Sequence, residues 1–357
     1  MNDGIKALLA EVGGMGGNAV VFNSVVKAYH VLQNYKNIMC SISGGSDSDV
    51  VLDLIWRVGK CLNKEVKYVW FDTGLEFMAT KNHLKYLEDR YQIEIIREKA
   101  KKPIPITCKQ YGQPFINKQV SEYIYRLQLH DFKWEDRPFE ELLAEYPKCV
   151  AALRWWCGIY DKPDYTSMLS IQRNKYLKEF MVQNPPTFKA SSKCCEYAKK
   201  KVIHNALEKY DADLNIYGVR KAEGGMRATA YKTCYDDNGA ECSSFRPIFW
   251  YNDEDKQYYE RKFNIVHSDC YTKYGMRRTG CAGCPFSKTL DEEVQIIKTH
   301  EPNLYKAVST IFKESYEYTA AYRKFCAEQR AKDRSDSNKS SQIKLFDVSS
   351  EVNNDDI

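Results

Sequence analysis

The 357-residue chain has no run approaching the ~18 consecutive apolar residues that a membrane span requires. Its opening Met1-Asn2-Asp3-Gly4 lacks a basic region, and Glu11 breaks the short apolar stretch that follows. No secretory signal is readable there, and the expected location is the cytoplasm. Repeats of roughly 20–50 residues are missing too, which argues against a solenoid. Nor does one sign of charge dominate, with 53 Lys and Arg against 48 Asp and Glu, net +5. The sequence pI near 8.4 sits below the value of about 9 expected of a dedicated nucleic-acid-binding domain. Charge therefore neither requires a polyanion partner nor excludes one. What the chain has in quantity is apolar surface, 43% hydrophobic and 13% aromatic residues, which is enough for a sizeable core. Its length leaves room for about two domains of ~150 residues, or one large α/β domain with insertions. Thirteen cysteines, an odd number without a readable signal, point to metal ligation or redox chemistry ahead of a disulfide framework.

Periodicity organises the first hundred residues. Val25, Ala28, Val31 and Leu32 have the spacing of an amphipathic helix ending near Asn34. Residues 37–42 read as a short buried strand, 50–55 as helix, 66–71 as a second strand, 84–91 as helix and 93–96 as a third strand. Residues 214–219 look like a later strand of the same sheet. Strand and helix in alternation predict an α/β fold, an open parallel sheet with helices on both faces. Residues 121–190 are aromatic and charged without strand alternation, and are expected to form a helical insertion. The organisation expected is a helical segment over 1–35, an α/β domain over 36–290, helices over 291–330 and a disordered tail over 331–357.

Between the first strand and the first α/β helix lies Ser43-Gly44-Gly45-Ser46-Asp47-Ser48. A helix N-terminus there presents unpaired N–H groups to an anion, glycines admit phosphate oxygens, and the serine hydroxyls add donors. The Gly-Lys-Ser/Thr ending of a Walker loop is absent. In an open parallel sheet ligands sit beyond the carboxyl ends of the strands. The turn at Asp72-Thr73-Gly74 and the segment at Arg220 also follow strands, so all three can converge on one nucleotide. Arg220 and Arg227 would offer guanidinium forks to phosphate or sulfate, unless they make only surface ion pairs with Glu223 and its neighbours.

Ser-Gly-Gly-x-Asp-Ser resembles the pyrophosphate loop of the adenine-nucleotide α-hydrolase superfamily. Three further segments resemble its phosphoadenosine phosphosulfate reductase family: Phe71-Asp72-Thr73-Gly74-Leu75-Glu76-Phe77, Gly218-Val219-Arg220-Lys221-Ala222-Glu223 with Arg227, and Arg246-Pro247-Ile248 with Asp253 and Asp255. Together they run in the family's order from about residue 38 to 290. The resemblance implies an adenine-nucleotide α-hydrolase-like fold and nucleotide contacts from Ser43, Gly44, Gly45, Ser46, Ser48, Asp72, Thr73 and Gly74. It also implies anion or substrate contacts from Arg220, Glu223 and Arg227.

Cys281-Ala282-Gly283-Cys284 is a Cys-x-x-Cys clip, and Cys194-Cys195 lies upstream. The set resembles the cysteines that hold a four-iron, four-sulfur cluster in many members of the family. Adjacent cysteines suit a cube better than one tetrahedral zinc; cluster, zinc and free thiols remain the three readings, with Cys157 and Cys270 as replacement ligands. Family reductases use a mobile C-terminal cysteine in a Glu-Cys-Gly-x-His type motif, whereas beyond Cys284 this chain has only Cys326, without glycine or histidine beside it. The intact loop resembles relatives that split ATP between its α- and β-phosphates, and DNA-phosphorothioation enzymes of the family combine such a loop with an iron–sulfur cluster. The expectation is ATP-dependent adenylation with sulfur transfer, Mg²⁺ neutralising developing charge and Asp47 helping to hold it. The sulfur would come from a donor protein such as a cysteine desulfurase or a thioredoxin-like partner. The alternatives are a sulfonucleotide reductase and a nucleotide-binding protein without turnover; DNA, tRNA and small metabolites are all open as acceptors.

In the tail, Gln342-x-x-Leu345-Phe346 resembles the peptide by which bacterial replication and repair proteins dock on the sliding clamp, a mode in which a few anchors carry affinity. The other reading is a segment that packs back on its own domain.

Overall fold

A computed structural model of the chain describes residues 1–14, 16–224, 229–237 and 242–335, and of 336–350 the helical backbone alone. Arg227 and the side chains of Gln342, Leu345 and Phe346 therefore lie outside the described residues, as does most of the expected tail.

The chain divides into two compact units. The first comprises residues 1–107, 193–284 and 288–308. It begins with α1 (Asp3–Gly13) and α2 (Ala19–Gln33), each started by an asparagine whose side chain accepts the N–H three residues on. Then follow β1 (Ile38–Ile42), α3 (Ser46–Leu62), β2 (Val66–Asp72), α4 (Met78–Tyr91) and β3 (Ile95–Lys99). After the second unit's main segment come α5 (Lys201–Lys209), β4 (Leu214–Tyr217), β5 (Tyr235–Asp236), β6 (Ser243–Phe245) and α6 (Asp253–Lys262).

The six strands lie in the order β3-β2-β1-β4-β6-β5. All pairings are parallel except β5 with β6. β1 is central because Ile38, Met39, Cys40 and Ile42 are apolar on both faces, as a strand covered by helices on each side must be. One face packs Ile38, Cys40 and Ile42 against α1, α2 and α3. The other packs Met39 and Val69 against Ala206 of α5. Chain order reverses at β1: β2 lies on one side, and β4, reached after the long excursion, on the other. That is the topological switch point at which α/β sheets open a crevice. The expected α/β class, with its open and mostly parallel sheet, is the fold found.

The second unit comprises residues 108–192, 285–287 and 309–357. Its helices include Lys118–Gln128, Phe139–Glu145, Val150–Trp156, Leu177–Gln183 and the long Lys313–Ser350. Its core is aromatic: Phe115, Phe132, Trp134, Trp155, Trp156 and Phe180 are buried together, with Tyr318, Tyr322 and Phe325 of the last helix packed on them. The chain enters and leaves side by side, Gln113 N donating to Lys189 O at 2.7 Å and Ser191 N to Gln113 O at 2.8 Å. Gly112 makes this approach, at φ +107 with its would-be Cβ only 2.2 Å from the Lys189 carbonyl oxygen. Among the described residues no helix is long and apolar enough to cross a membrane.

Candidate nucleotide-phosphate site

The 43–48 loop turns from the end of β1 into the first turn of α3, with Gly45 as N-cap and no side chain capping it. Gly44 makes the turn at φ +69, where a side chain would also run into Thr80. Gly218, just beyond β4, lets that strand end pass the loop: a Cβ would sit 3.2 Å from the Asp47 carbonyl carbon and oxygen.

The loop's donors are arranged around hydroxyls. Ser43 N donates to Ser48 Oγ at 3.0 Å, and Gly45 N to Ser43 Oγ at 3.3 Å. Ser46 N donates to Tyr271 OH at 3.1 Å, and that hydroxyl also bonds Thr279 Oγ1 at 2.9 Å. These oxygens sit where an anion's oxygens would be received.

Asp47 is the loop's electrostatic hub. Arg220 Nε lies 3.1 and 3.2 Å from its two oxygens, and Lys256 Nζ lies 2.9 Å from Oδ1. Burial by itself would raise this carboxyl, but Lys256 and Arg220 together outweigh it and hold it below the usual carboxylate range. Arg220 also pairs with Asp253 at 2.8 Å. Ser43, Gly45, Ser46, Asp47, Ser48, Gly218, Arg220 and Glu223 line one cavity of about 310 Å³. Lys256, Tyr271, Arg277, Arg278 and Thr279, none of them singled out from the sequence, complete its wall. Glu223 lies 3.9 Å from Arg278.

Behind the loop runs a chain of charged groups. Lys256 reaches Glu260 at 3.5 Å, one turn along α6. Glu260 Oε1 meets His267 Nε2 at 2.8 Å, and His267 Nδ1 meets Asp49 Oδ2 at 2.8 Å. His83 Nε2 lies 3.0 Å from the other Asp49 oxygen, off-line for a hydrogen bond. Burial works against the charged imidazolium, yet hydrogen bonds to Asp49 and Glu260, with their charges, push His267 up to about 9. It is thus a cation at neutral pH, donating from both ring nitrogens.

Asp72, Thr73 and Gly74 end β2 outside the walls of that cavity. Asp72 Oδ1 accepts Gly74 N at 2.9 Å, and Thr73 Oγ1 donates to Glu76 at 2.5 Å. Burial pushes the Glu76 carboxyl up to about 7, against the Thr73 hydrogen bonds and the charge of Lys199. Thr73 Oγ1 is also 3.6 Å from Cys281 Sγ, so this turn faces the cysteine segment. Cys194, Cys195, Cys281 and Cys284 belong to the first unit. The Lys199 amine hydrogen-bonds Cys281, and the negative charge that Cys281, Glu76 and Cys195 can carry raises its pKa despite burial. Among the described residues no three His, Cys, Asp or Glu side chains gather to hold a single metal ion. Lys199, half-buried, neighbours one thiol from each segment, Cys281 and Cys195, and four thiols are the donor number that a four-iron cluster takes. Cys157 lies in the second unit. Cys270 is buried, which pushes its thiol up to about 11.

Residues 37–131 and 161–287, more than half the chain, match the phosphoadenosine phosphosulfate reductase domain. An uncharacterised protein of Methanocaldococcus jannaschii is 31% identical over 160 residues, 44% of this chain and 30% of that relative; the chain spans about a third of its length. Among solved structures, the chain is similar to the phosphoadenylyl-sulfate reductase of Candida auris in its phosphate complex, with 12% identity, TM-score 0.39, 79% of this chain and 96% of that one. It is also similar to the NH3-dependent NAD synthetase of Campylobacter jejuni, with 14% identity, TM-score 0.33, 84% and 94% covered. A third is the U34-tRNA thiolase of Methanococcus maripaludis with its [4Fe-4S] cluster, with 13% identity, TM-score 0.35, 88% and 83% covered.

Proposed function

Since the chain belongs to the phosphoadenosine phosphosulfate reductase domain family, we propose that it binds ATP on the 43–48 loop and cleaves it between the α- and β-phosphates for sulfur transfer. An acceptor oxygen attacks the α-phosphorus and pyrophosphate leaves; a sulfur nucleophile then bonds to the acceptor atom that bore the oxygen, and AMP departs with that oxygen. The observation that supports this reading is the meeting of Arg220 and Lys256 on the loop, in a cavity that Arg277 and Arg278 also line. Such preorganised cations stabilise charge developing on the leaving pyrophosphate. Both Asp47 oxygens face cations, so its role here is to hold Arg220 and Lys256, and Mg²⁺ arrives with the nucleotide's own phosphates. Cys194, Cys195, Cys281 and Cys284 would hold the four-iron, four-sulfur cluster, which when bound would supply a redox-active centre.

Reduction of a sulfonucleotide is the second reading. Cys326 argues against it, being buried in the second unit with its thiol 3.5 Å from the Lys175 carbonyl, not on a mobile arm. A sliding-clamp partner rests on Gln342, Leu345 and Phe346, and a DNA acceptor on these and on the resemblance to phosphorothioation enzymes; the sulfur-donor protein rests on the chemistry. The test is a paired assay on anaerobically purified protein, pyrophosphate release from ATP beside sulfite release from a sulfonucleotide, repeated with Asp47→Ala. Pyrophosphate release abolished in the variant supports the proposal. Sulfite release would make the protein a reductase, and ATP binding without either product would make it a non-catalytic binder.

A further inference from the structure

We infer that Lys256, held in place by Glu260 and by the half-buried His267 on the buried Asp49 behind it, is the loop's pyrophosphate-binding cation, selecting nucleotides that carry a β-phosphate. The inference rests on the proposal that the loop binds ATP, and names the side chain that grips the leaving group.

Three observations carry it. First, Lys256 is already fixed: its side chain is 13% exposed, with Nζ at 2.7 Å from Ser46 Oγ, 2.9 Å from Asp47 and 3.5 Å from Glu260. A lysine normally loses much rotamer freedom on binding an anion; this one has lost it on folding. Arg278, on the same cavity, is 62% exposed and still has that freedom to lose.

Second, Lys256 can leave Asp47 without stranding a charge. Arg220 faces both Asp47 oxygens, so the carboxylate keeps a partner when the ammonium turns to a phosphate oxygen. Removing a carboxylate's only partner would instead leave a part-buried charge unpaired, which is costly. Ser46 Oγ, at the first residue of α3, moves the contact directly onto the helix N-terminus that receives anions.

Third, the support behind Lys256 is more elaborate than a structural lysine needs. Glu260 is shared between Lys256 and His267, and His267 is shared between Glu260 and Asp49, whose side chain is fully buried. Each link removes a rotamer from the next, so the fixed, buried Asp49 ends up setting where an ammonium sits at the loop. Glu260, His267 and Asp49 are thus positioning residues, acting through Lys256. Four cations, Arg220, Lys256, Arg277 and Arg278, against two carboxylates, Asp47 and Glu223, leave this cavity of about 310 Å³ with a net positive lining suited to a polyphosphate.

The experiment measures binding of ATP, inorganic pyrophosphate and AMP by calorimetry to the full chain and to Lys256→Met, Lys256→Arg and Glu260→Gln. Lys256→Met is expected to weaken pyrophosphate and ATP by about tenfold or more and AMP by less than about twofold, with Lys256→Arg restoring most of the loss. Glu260→Gln should fall between, with the same selectivity for pyrophosphate over AMP, a pattern that general loosening of the fold does not produce. Wild-type pyrophosphate affinity in Lys256→Met overturns the inference. So does an equal loss for AMP and pyrophosphate. If the unaltered chain binds neither ATP nor pyrophosphate, it is the reading of the loop itself that fails.

Discussion

His267 gives the most exacting test of the charged chain behind the loop. Its imidazolium is held by Asp49 on one nitrogen and Glu260 on the other, moving its pKa from 6.5 up to about 9. At 1.36 kcal/mol per tenfold change in proton affinity, the folded state gains on the order of 3 kcal/mol from keeping that proton. The pKa is raised on folding, so this stabilisation is present in full below pH 6.5, where folded and unfolded chains both bind the proton. It is lost as pH rises through about 9. His267→Gln keeps a donor but removes the charge. Urea unfolding of the two proteins should therefore show wild type more stable at about pH 6, with the gap narrowing by roughly 3 kcal/mol by about pH 10. Comparing the two cancels thiols and tyrosines that titrate in both. A gap that does not change with pH would refute a protonated His267, and with it the electrostatic account of the chain from Asp49 to Lys256.

Three other outcomes are expected. Gly218→Ala, whose Cβ would press on the Asp47 backbone at 3.2 Å, should weaken pyrophosphate binding about tenfold for roughly 1 kcal/mol of stability; unchanged binding counts against the close passage. Gly112→Ala meets the Lys189 carbonyl at 2.2 Å and φ +107, and should lower the thermal midpoint of the second unit by an amount matching about 3 kcal/mol, whereas an unmoved midpoint would mean that entrance and exit are not paired there. Anaerobic protein should be brown with about four irons per chain, and Cys281→Ser should lose both colour and iron. Stoichiometric zinc in place of iron would overturn the cluster.

Much of the sheet is legible in the sequence because a buried parallel strand needs only a short apolar run, as β1 and β2 have. β3 begins two residues later than the Ile93 start suggests: Gln92 closes α4 at φ +50 and Ile93 N bonds the Glu88 carbonyl, so pairing begins at Ile95. β5 and β6 have two and three residues, too few to alternate, and Ser243-Ser244 reads as a turn. The loop, Arg220 and the cysteine pairs carry local signatures. Lys256 and His267 carry none, since each acquires its meaning from partners far away in sequence. Asp49 carries no local signal either, although its side chain is fully buried against His267. Residues 121–190 read as helical because an aromatic and charged stretch there lacks strand alternation. The second unit's start at residue 108 depends on the long-range meeting of Gln113 with Lys189 and Ala190, which no local pattern announces.

The sheet order carries a consequence for synthesis. β1 is paired on one edge by β2, which follows it closely, but on the other by β4, about 170 residues later. At translation rates of about 5–20 residues per second, that edge waits roughly 10–30 s for its partner. During this time the nascent chain presents Ile38, Met39 and Cys40 on an open central strand, the kind of edge that templates aggregation. The second unit cannot complete its own core in that interval, because the last helix, with Tyr318, Tyr322 and Phe325, follows β4 in the chain. Yield of soluble protein should therefore depend on what shields β1 on the ribosome, and slower growth or more holdase chaperone should help more than any stabilising substitution in the finished molecule.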